Sequence, residues 1–291
     1  MSESGKLVTV IREYRGVGES RSLSMMTQEQ RYLFDLHGYL HLKNVLSEQE
    51  LTACQNAVER YMATSDDEMP EGFGTSDGRI YENGFAWDKS LESLVCHPAY
   101  WPSIKEFTMR KPRFLRGTML VNNPGDTETH AGSLHCARED YGWYSTRYDC
   151  REGTIYCDDF VIFPYFYDVK PGDGGLVVVP GSHKCNFPRP ETLFNGGVLG
   201  NELPEHTVNI TPEAGDAVIF SELLTHGAMP WKAQDKKRVV LALRYAPQYR
   251  GGDFIPESVK GLLSPETLEL MAPGPYWEEK EIVGRDVVSL S

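Results

Sequence analysis

The sequence has little of what marks a protein of nucleic acids, membranes or the oxidising cell exterior. Its 29 Lys and Arg residues are outnumbered by 42 Asp and Glu, for a formal net charge of −13, so a basic surface for nucleic acid or anionic lipid is missing. No apolar run approaches a membrane span or a signal peptide. The cysteines form no Cys-x-x-Cys pair, which disfavours a zinc ribbon or disulfide framework. We therefore expect a cytoplasmic protein without nucleic-acid or membrane partners.

The length of 291 residues suits one large domain with a sizeable core. Residues 1–24 are polar and predict a loose N-terminal arm. We expect residues 25–291 to form a single domain, with a core at about 112–250 and a C-terminal extension at 251–291.

Helical signals come first in the chain. Thr27 with Gln30 and Ser47 with Glu50 are capping boxes, and each predicts the start of a helix. A brief strand is expected between these helices, at residues 39–42. Residues 65–84 are rich in Asp, Glu and Gly, which is typical of a surface loop and suggests one that folds over a substrate.

Strand signals dominate after a helix predicted near residues 98–109. Runs rich in β-branched and aromatic residues, separated by turn residues, lie at 114–121, 154–167, 176–179, 208–210, 217–220 and 239–245. Strands grouped after helices, without βαβ alternation, predict a mainly β fold with flanking helices, a double-stranded β-helix of the jelly-roll, cupin-like type. A short capped helix is expected from residue 264.

Two histidines and one arginine are the candidate functional residues. His135 and His226 are too far apart for a local zinc motif, but two metal ligands on different strands of a barrel have such a separation. Arg238 heads an apolar strand, from which its guanidinium could bind an acidic cosubstrate. Lys236 and Lys237 precede it, so the alternative is an exposed residue near a turn.

Three further segments accompany these residues: a glycine-rich turn between strands, an apolar strand leading into His226, and an N-terminal run, at 168–184, 215–220 and 30–39 respectively. Together they resemble the phytanoyl-CoA dioxygenase family of iron(II)- and 2-oxoglutarate-dependent oxygenases, over about residues 27–250. The resemblance implies Fe(II), 2-oxoglutarate and O2 as cofactors, His135 and His226 as iron ligands, and Arg238 as the partner of the 2-oxoglutarate carboxylate. Arg244 is a weaker alternative for that anion.

One position departs from the family pattern. The first ligand motif of the family is His-x-Asp, whereas this chain has His135, Cys136 and Ala137. We considered three ways to complete the site: Glu139 or Asp140 reaches the metal from a local bulge, chloride occupies the position beside Ala137 as in iron halogenases of this superfamily, or water completes a two-histidine site.

Aromatic residues are dense between residues 141 and 167. Many must belong to the core, and a subset facing the metal would line a largely apolar pocket for a small-molecule substrate. Tyr156, Tyr165 and Trp231 are our candidates for this pocket.

We expect an oxygenase that hydroxylates an unactivated C–H bond. The alternatives are a halogenase at the same iron and a non-catalytic jelly-roll binding protein. The sequence indicates neither the substrate nor an oligomeric state.

Overall fold

The computed structural model describes residues 25–125, 132–142, 145–252 and 255–291. The arm predicted at residues 1–24 lies outside these ranges, as do Trp143 and Tyr144 of the aromatic-rich segment. Both predicted capping boxes are present. The hydroxyl of Thr27 accepts from the backbone of Gln30, and Ser47 and Glu50 make the same reciprocal pair. The two N-terminal helices therefore begin where the sequence predicts.

The α-helices of the described residues are α1 (Gln28–His37), α2 (Glu48–Ala63), α3 (Lys89–Glu92), α4 (Trp101–Phe107), α5 (Ala137–Asp140), α6 (Glu257–Lys260) and α7 (Pro265–Met271). Ser264 caps α7, as predicted. The strands are β1 (Tyr39–Leu42), β2 (Thr75–Ser76), β3 (Ile80–Tyr81), β4 (Pro112–Asn122), β5 (Tyr148–Arg151), β6 (Thr154–Cys157), β7 (Phe160–Pro164), β8 (Gly175–Val178), β9 (Val208–Asn209), β10 (Ala217–Ser221), β11 (His226–Met229) and β12 (Arg238–Pro247).

The strands form antiparallel sheets. The large sheet has the order β1-β10-β7-β12-β4-β3-β2, the smaller one has the order β11-β8-β9, and β5 and β6 form a separate hairpin. Two differences from the sequence-based expectation matter. The run 154–167 is divided into β6 and β7, and the loop predicted at 65–84 contributes β2 and β3 to the edge of the large sheet.

Alternation along β12 separates two hydrophobic cores. Val239, Leu241 and Leu243 face the helices and pack in the larger cluster with α2 and α4. Val240 points to the other side, into a second cluster between the large and small sheets. Because side chains alternate between the faces of a strand, every second residue of β12 faces the interior of the barrel. This interior face carries Arg238 and Arg244.

None of the described helices is long and apolar enough to cross a membrane. Each of the cysteines carries a free thiol, and Cys150 and Cys185 are the exposed ones.

Candidate metal centre

The structure brings His135 and His226 together. They form an isolated antiparallel bridge in which each backbone N–H donates to the other residue's carbonyl oxygen, at 2.8 and 2.9 Å. Their ring centroids lie 4.3 Å apart. Two residues distant in sequence thus become direct neighbours, because His226, the first residue of β11, pairs with the segment that carries His135.

The orientation of both rings is fixed by backbone carbonyls. Nδ1 of His135 lies 2.8 Å from the oxygen of Ser133, and Nδ1 of His226 lies 2.7 Å from that of Leu224. A carbonyl can only accept, so we assign the proton to Nδ1 in both rings, which leaves the Nε2 lone pairs available. Burial lowers the pKa of His226 to about 4, so this imidazole is neutral at physiological pH. A neutral imidazole whose Nδ1 is held by a carbonyl oxygen is suited to bind a transition metal through Nε2.

Ala137 is completely buried at the start of α5. Its backbone N–H donates to the carbonyl oxygen of Glu222 over 2.7 Å. The position two residues after His135 therefore lies within the site region, yet its side chain is a methyl group that offers no ligand atom.

Glu139 and Asp140 have other partners. Asp140 accepts from the backbone of Cys136 at 2.7 Å and pairs with Arg189 at 3.2 Å, and Glu139 accepts from the backbone of Arg189 at 3.1 Å. We looked in the described residues for three or more possible metal ligands whose donor atoms lie within 4.8 Å of one another. Cys136, Glu139 and Asp140 form such a group, and it includes neither histidine. The helical turn of α5 directs both acids towards Arg189.

Glu222 is a site residue that sequence reasoning missed. It is buried one residue after β10, and its Oε1 lies 2.9 Å from Arg244. Burial alone would raise its pKa, but the guanidinium of Arg244 holds the pKa below its usual value. The inward alternation of Val218 and Phe220, continued by one step, is the sequence signal that could have placed Glu222 inside the barrel.

Arg244 is bound into a buried ion network. Besides Glu222 it contacts Asp159 at 3.0 Å, and Asp159 also pairs with Arg250 at 2.8 Å. Burial raises the pKa of Asp159 to about 6 in spite of both arginines. The guanidinium of Arg244 is therefore already neutralised by carboxylates of this chain.

Arg238 has a different environment. It is only 4% exposed, and its terminal nitrogens contact neutral groups, Oδ1 of Asn122 at 3.0 Å and the hydroxyl of Tyr165 at 3.4 Å. Its Nε is buried without a hydrogen-bond partner among the described residues. A Cβ on Gly175, whose φ is +80°, would lie 3.1 Å from this Nε. Because an unpaired buried charge is costly, Arg238 is suited to receive an anion.

The predicted pocket aromatics lie at different places. Tyr165 is fully buried with its ring 5.5 Å from the Arg238 guanidinium. Trp231 is buried in the barrel cluster and donates to the carbonyl oxygen of Lys236. Tyr156 is half-buried outside the barrel, with its hydroxyl 2.7 Å from that of Tyr249. Tyr141 is half-exposed with its ring 5.6 Å from that of His135.

The family model described as phytanoyl-CoA dioxygenase matches residues 34–239. The peroxisomal phytanoyl-CoA dioxygenase of Homo sapiens is 24% identical over 239 residues, which span 75% of this chain and 68% of that protein. A probable phytanoyl-CoA dioxygenase of Caenorhabditis elegans is 24% identical over 237 residues, with 73% of each protein covered.

Two solved structures show the same fold. HygX from Streptomyces hygroscopicus, with nickel and 2-oxoglutarate bound, aligns with a TM-score of 0.62 and 24% identity over 79% of this chain and 96% of its own. EctD from S. alaskensis, with 2-oxoglutarate and 5-hydroxyectoine, aligns with a TM-score of 0.57 and 18% identity over 79% of each chain. The predicted jelly-roll fold is therefore confirmed.

Proposed function

We propose, from the premise that this chain belongs to the phytanoyl-CoA dioxygenase family, that it hydroxylates an unactivated C–H bond of a small organic molecule. The family's cofactors are iron(II), 2-oxoglutarate and O2. The overall change is R–H + O2 + 2-oxoglutarate → R–OH + succinate + CO2. Bound iron supplies the oxidising chemistry. The observation that carries the proposal is the bridged histidine pair together with Arg238, a buried arginine whose hydrogen-bond partners among the described residues are neutral.

Two of the metal ligands that the family pattern implies are present, and the third, a carboxylate, is missing from its usual position. His135 and His226 would hold the metal through Nε2, since both Nδ1 atoms are occupied by carbonyls. Imidazole nitrogen is a ligand type that iron accepts. A carboxylate is absent from position 137, and the acids of α5 are held by Arg189.

Arg238 would bind the distal carboxylate of 2-oxoglutarate. Asn122 and Tyr165 already orient its terminal nitrogens, so the guanidinium is held in place before the anion arrives. The apolar cluster around it excludes water and strengthens the ion pair. Tyr165 in this arrangement assists the cosubstrate rather than the substrate.

Halogenation is a second candidate, favoured by the buried methyl group of Ala137. Chloride in that position would restore one negative charge, and the balanced change is R–H + Cl⁻ + O2 + 2-oxoglutarate + H⁺ → R–Cl + succinate + CO2 + H2O. Glu222 already supplies a negative charge near both imidazoles, so chloride is not needed to balance the charge of the site, and we place halogenation behind hydroxylation.

Metal and cosubstrate binding test the proposal. Anaerobic titration with Fe(II) and 2-oxoglutarate should give the weak visible absorption of their complex in the parent, and His226→Ala should abolish it because one imidazole is lost. His206→Ala is the control, since His206 is exposed. A parent without metal binding would leave the non-catalytic binding protein as the remaining interpretation.

Chloride separates the two reactions. If hydroxylation is correct, added chloride leaves the absorption band unchanged, and chlorinated product does not form. A band that shifts with chloride in the parent, and no longer shifts in Ala137→Asp, would establish the halide site instead. Loss of iron binding in Glu139→Gln or Asp140→Asn, without effect of chloride, would identify an acid of α5 as the third ligand.

A further inference from the structure

Part of the interior face of the barrel is accessible to solvent, on two neighbouring strands, although Val240 and Arg238 on the same face of β12 are buried. On β12 the residues that face the helices are buried, while the interior-facing Ala242 and Arg244 are half-buried. On β4 the same inversion holds: Leu120 and Thr118 face the interior and are half-buried, and Arg116 is exposed. Because helices cover the outer face, these side chains are reached by solvent from the interior side of the sheet.

Strand pairing connects this accessible part of the interior face to the histidine pair. The register places Phe220, Val161, Arg244 and Arg116 in one row across β10, β7, β12 and β4. At one end of the row, the ring of Phe220 lies 4.8 Å from that of His226. Three strand spacings separate the ends of the row, roughly 14 Å along the sheet. A molecule of small-substrate size can therefore extend from the histidines to Arg116.

Arg116 differs from its charged neighbours. Arg244, Glu222 and Asp159 are paired with one another, whereas Arg116 makes no hydrogen bond or ion pair with any residue that the structure describes. The hydroxyl of Thr118, on the same face of β4, is likewise without a partner in the described ranges. A guanidinium is a donor fork that matches an oxyanion in two parallel hydrogen bonds.

We propose that Arg116 binds a carboxylate group of the substrate, so that the enzyme acts on a small organic acid. This inference rests on the proposed oxygenase function. Leu120 and Ala242 offer apolar contact to the carbon skeleton, and Thr118 offers a hydroxyl beside the acid. The carboxylate bound at Arg116 then determines which carbon of the substrate lies at the histidine pair. Arg116 is therefore a specificity-determining residue.

The test compares benzoate with its neutral isostere benzamide. Both are titrated calorimetrically against the full chain loaded with Ni(II) and saturating 2-oxoglutarate, which blocks Arg238 as an alternative anion site. We expect benzoate to bind and benzamide to bind at least tenfold more weakly. Arg116→Gln should weaken benzoate binding by about tenfold or more, because a charge-assisted hydrogen bond is lost, and should leave benzamide unchanged. Arg116→Lys should retain part of the preference.

Arg151→Gln is the matched control, since Arg151 lies in the β5–β6 hairpin with its side chain 84% exposed. It should bind benzoate like the parent. Equal binding of the acid and the amide, no benzoate binding by the parent, or parental benzoate binding by Arg116→Gln would each overturn the inference. The Ni(II) and 2-oxoglutarate titrations of the same samples distinguish the failures: their absence in the parent refutes the proposed function, and their presence confines the failure to Arg116.

Discussion

Arg238 and Arg244 lie on the same face of one strand, yet their surroundings are opposite. Arg244 is held by two buried carboxylates, those of Asp159 and Glu222. Arg238 is held by an amide oxygen and a phenol, and its Nε lacks a partner among the described residues. Among the described residues, the barrel therefore has one end where carboxylates neutralise the arginine and another where the partners of the arginine are neutral.

The partners of a buried guanidinium indicate its role. A buried cation with its own carboxylates contributes to folding, since removing either partner leaves the other charge uncompensated. A buried cation that has only neutral partners becomes fully charge-compensated when an anion from outside the chain binds to it. These surroundings support our proposal that Arg238 binds the cosubstrate, and they favour a structural role for Arg244.

The largest expected effect is on stability at the neutralised end. Arg244→Leu should lower the free energy of unfolding by about 3–5 kcal/mol, because Glu222 would lose its cation while buried and Asp159 would keep only Arg250 among the described residues. Urea denaturation followed by circular dichroism measures it, with the exposed Arg151→Leu as control. A loss below about 1 kcal/mol would mean that solvent screens this network and that the two ends are alike.

Arg238→Leu should affect cosubstrate binding far more than stability, the reverse of what we expect for Arg244→Leu. The affinity for 2-oxoglutarate should fall by about a hundredfold or more, which corresponds to about 3 kcal/mol, because the charge-assisted pair is lost. Stability without cosubstrate should change by less than about 1 kcal/mol, since an unneutralised buried charge is removed with the contacts. Titration of the anaerobic Fe(II) protein measures the affinity, and a parental value would transfer the role to another cation.

Asn122→Asp should give Arg238 a carboxylate partner, as Arg244 already has. The new carboxylate would pair with Arg238 and compete with the cosubstrate, so we expect the affinity for 2-oxoglutarate to fall by about tenfold. Asn122→Ala controls for the loss of the amide contact. If both variants bind 2-oxoglutarate equally, neutralisation is not what separates the two ends.

The smallest effect is expected for Tyr165→Phe. The hydroxyl accepts from Arg238 over a long 3.4 Å, so its loss should weaken 2-oxoglutarate binding by only about twofold to threefold. The same titration resolves the change. A loss as large as that of Arg238→Leu would show that the phenol, rather than the guanidinium, binds the cosubstrate.

Local patterns predicted the parts of the site that lie on regular strands. The apolar run after Arg238 indicated a buried strand, and alternation along it accounts for the inward guanidinium. The two histidines were paired through the resemblance to the family rather than by any local signal in the sequence. Their backbone bridge is a long-range contact that sequence spacing alone does not show.

Glu222 and Asp159 were missed for the same physical reason. Each looks like an ordinary acid at the end of an apolar run, and only the three-dimensional approach to Arg244 gives it a role. Asp158 and Asp159 also explain why the run 154–167 is not one strand. These consecutive acids stand between β6 and β7, and Asp158 accepts from the backbone of Arg147.

The bridge between His135 and His226 has an evolutionary consequence. The spacing of the imidazoles is set by main-chain hydrogen bonds of a β-ladder, which do not depend on the side chain at position 137. Any alanine codon becomes an aspartate or glutamate codon by one base change. On the proposed function, one base change could therefore supply the carboxylate that position 137 lacks, without a change in the backbone bridge that holds the histidines.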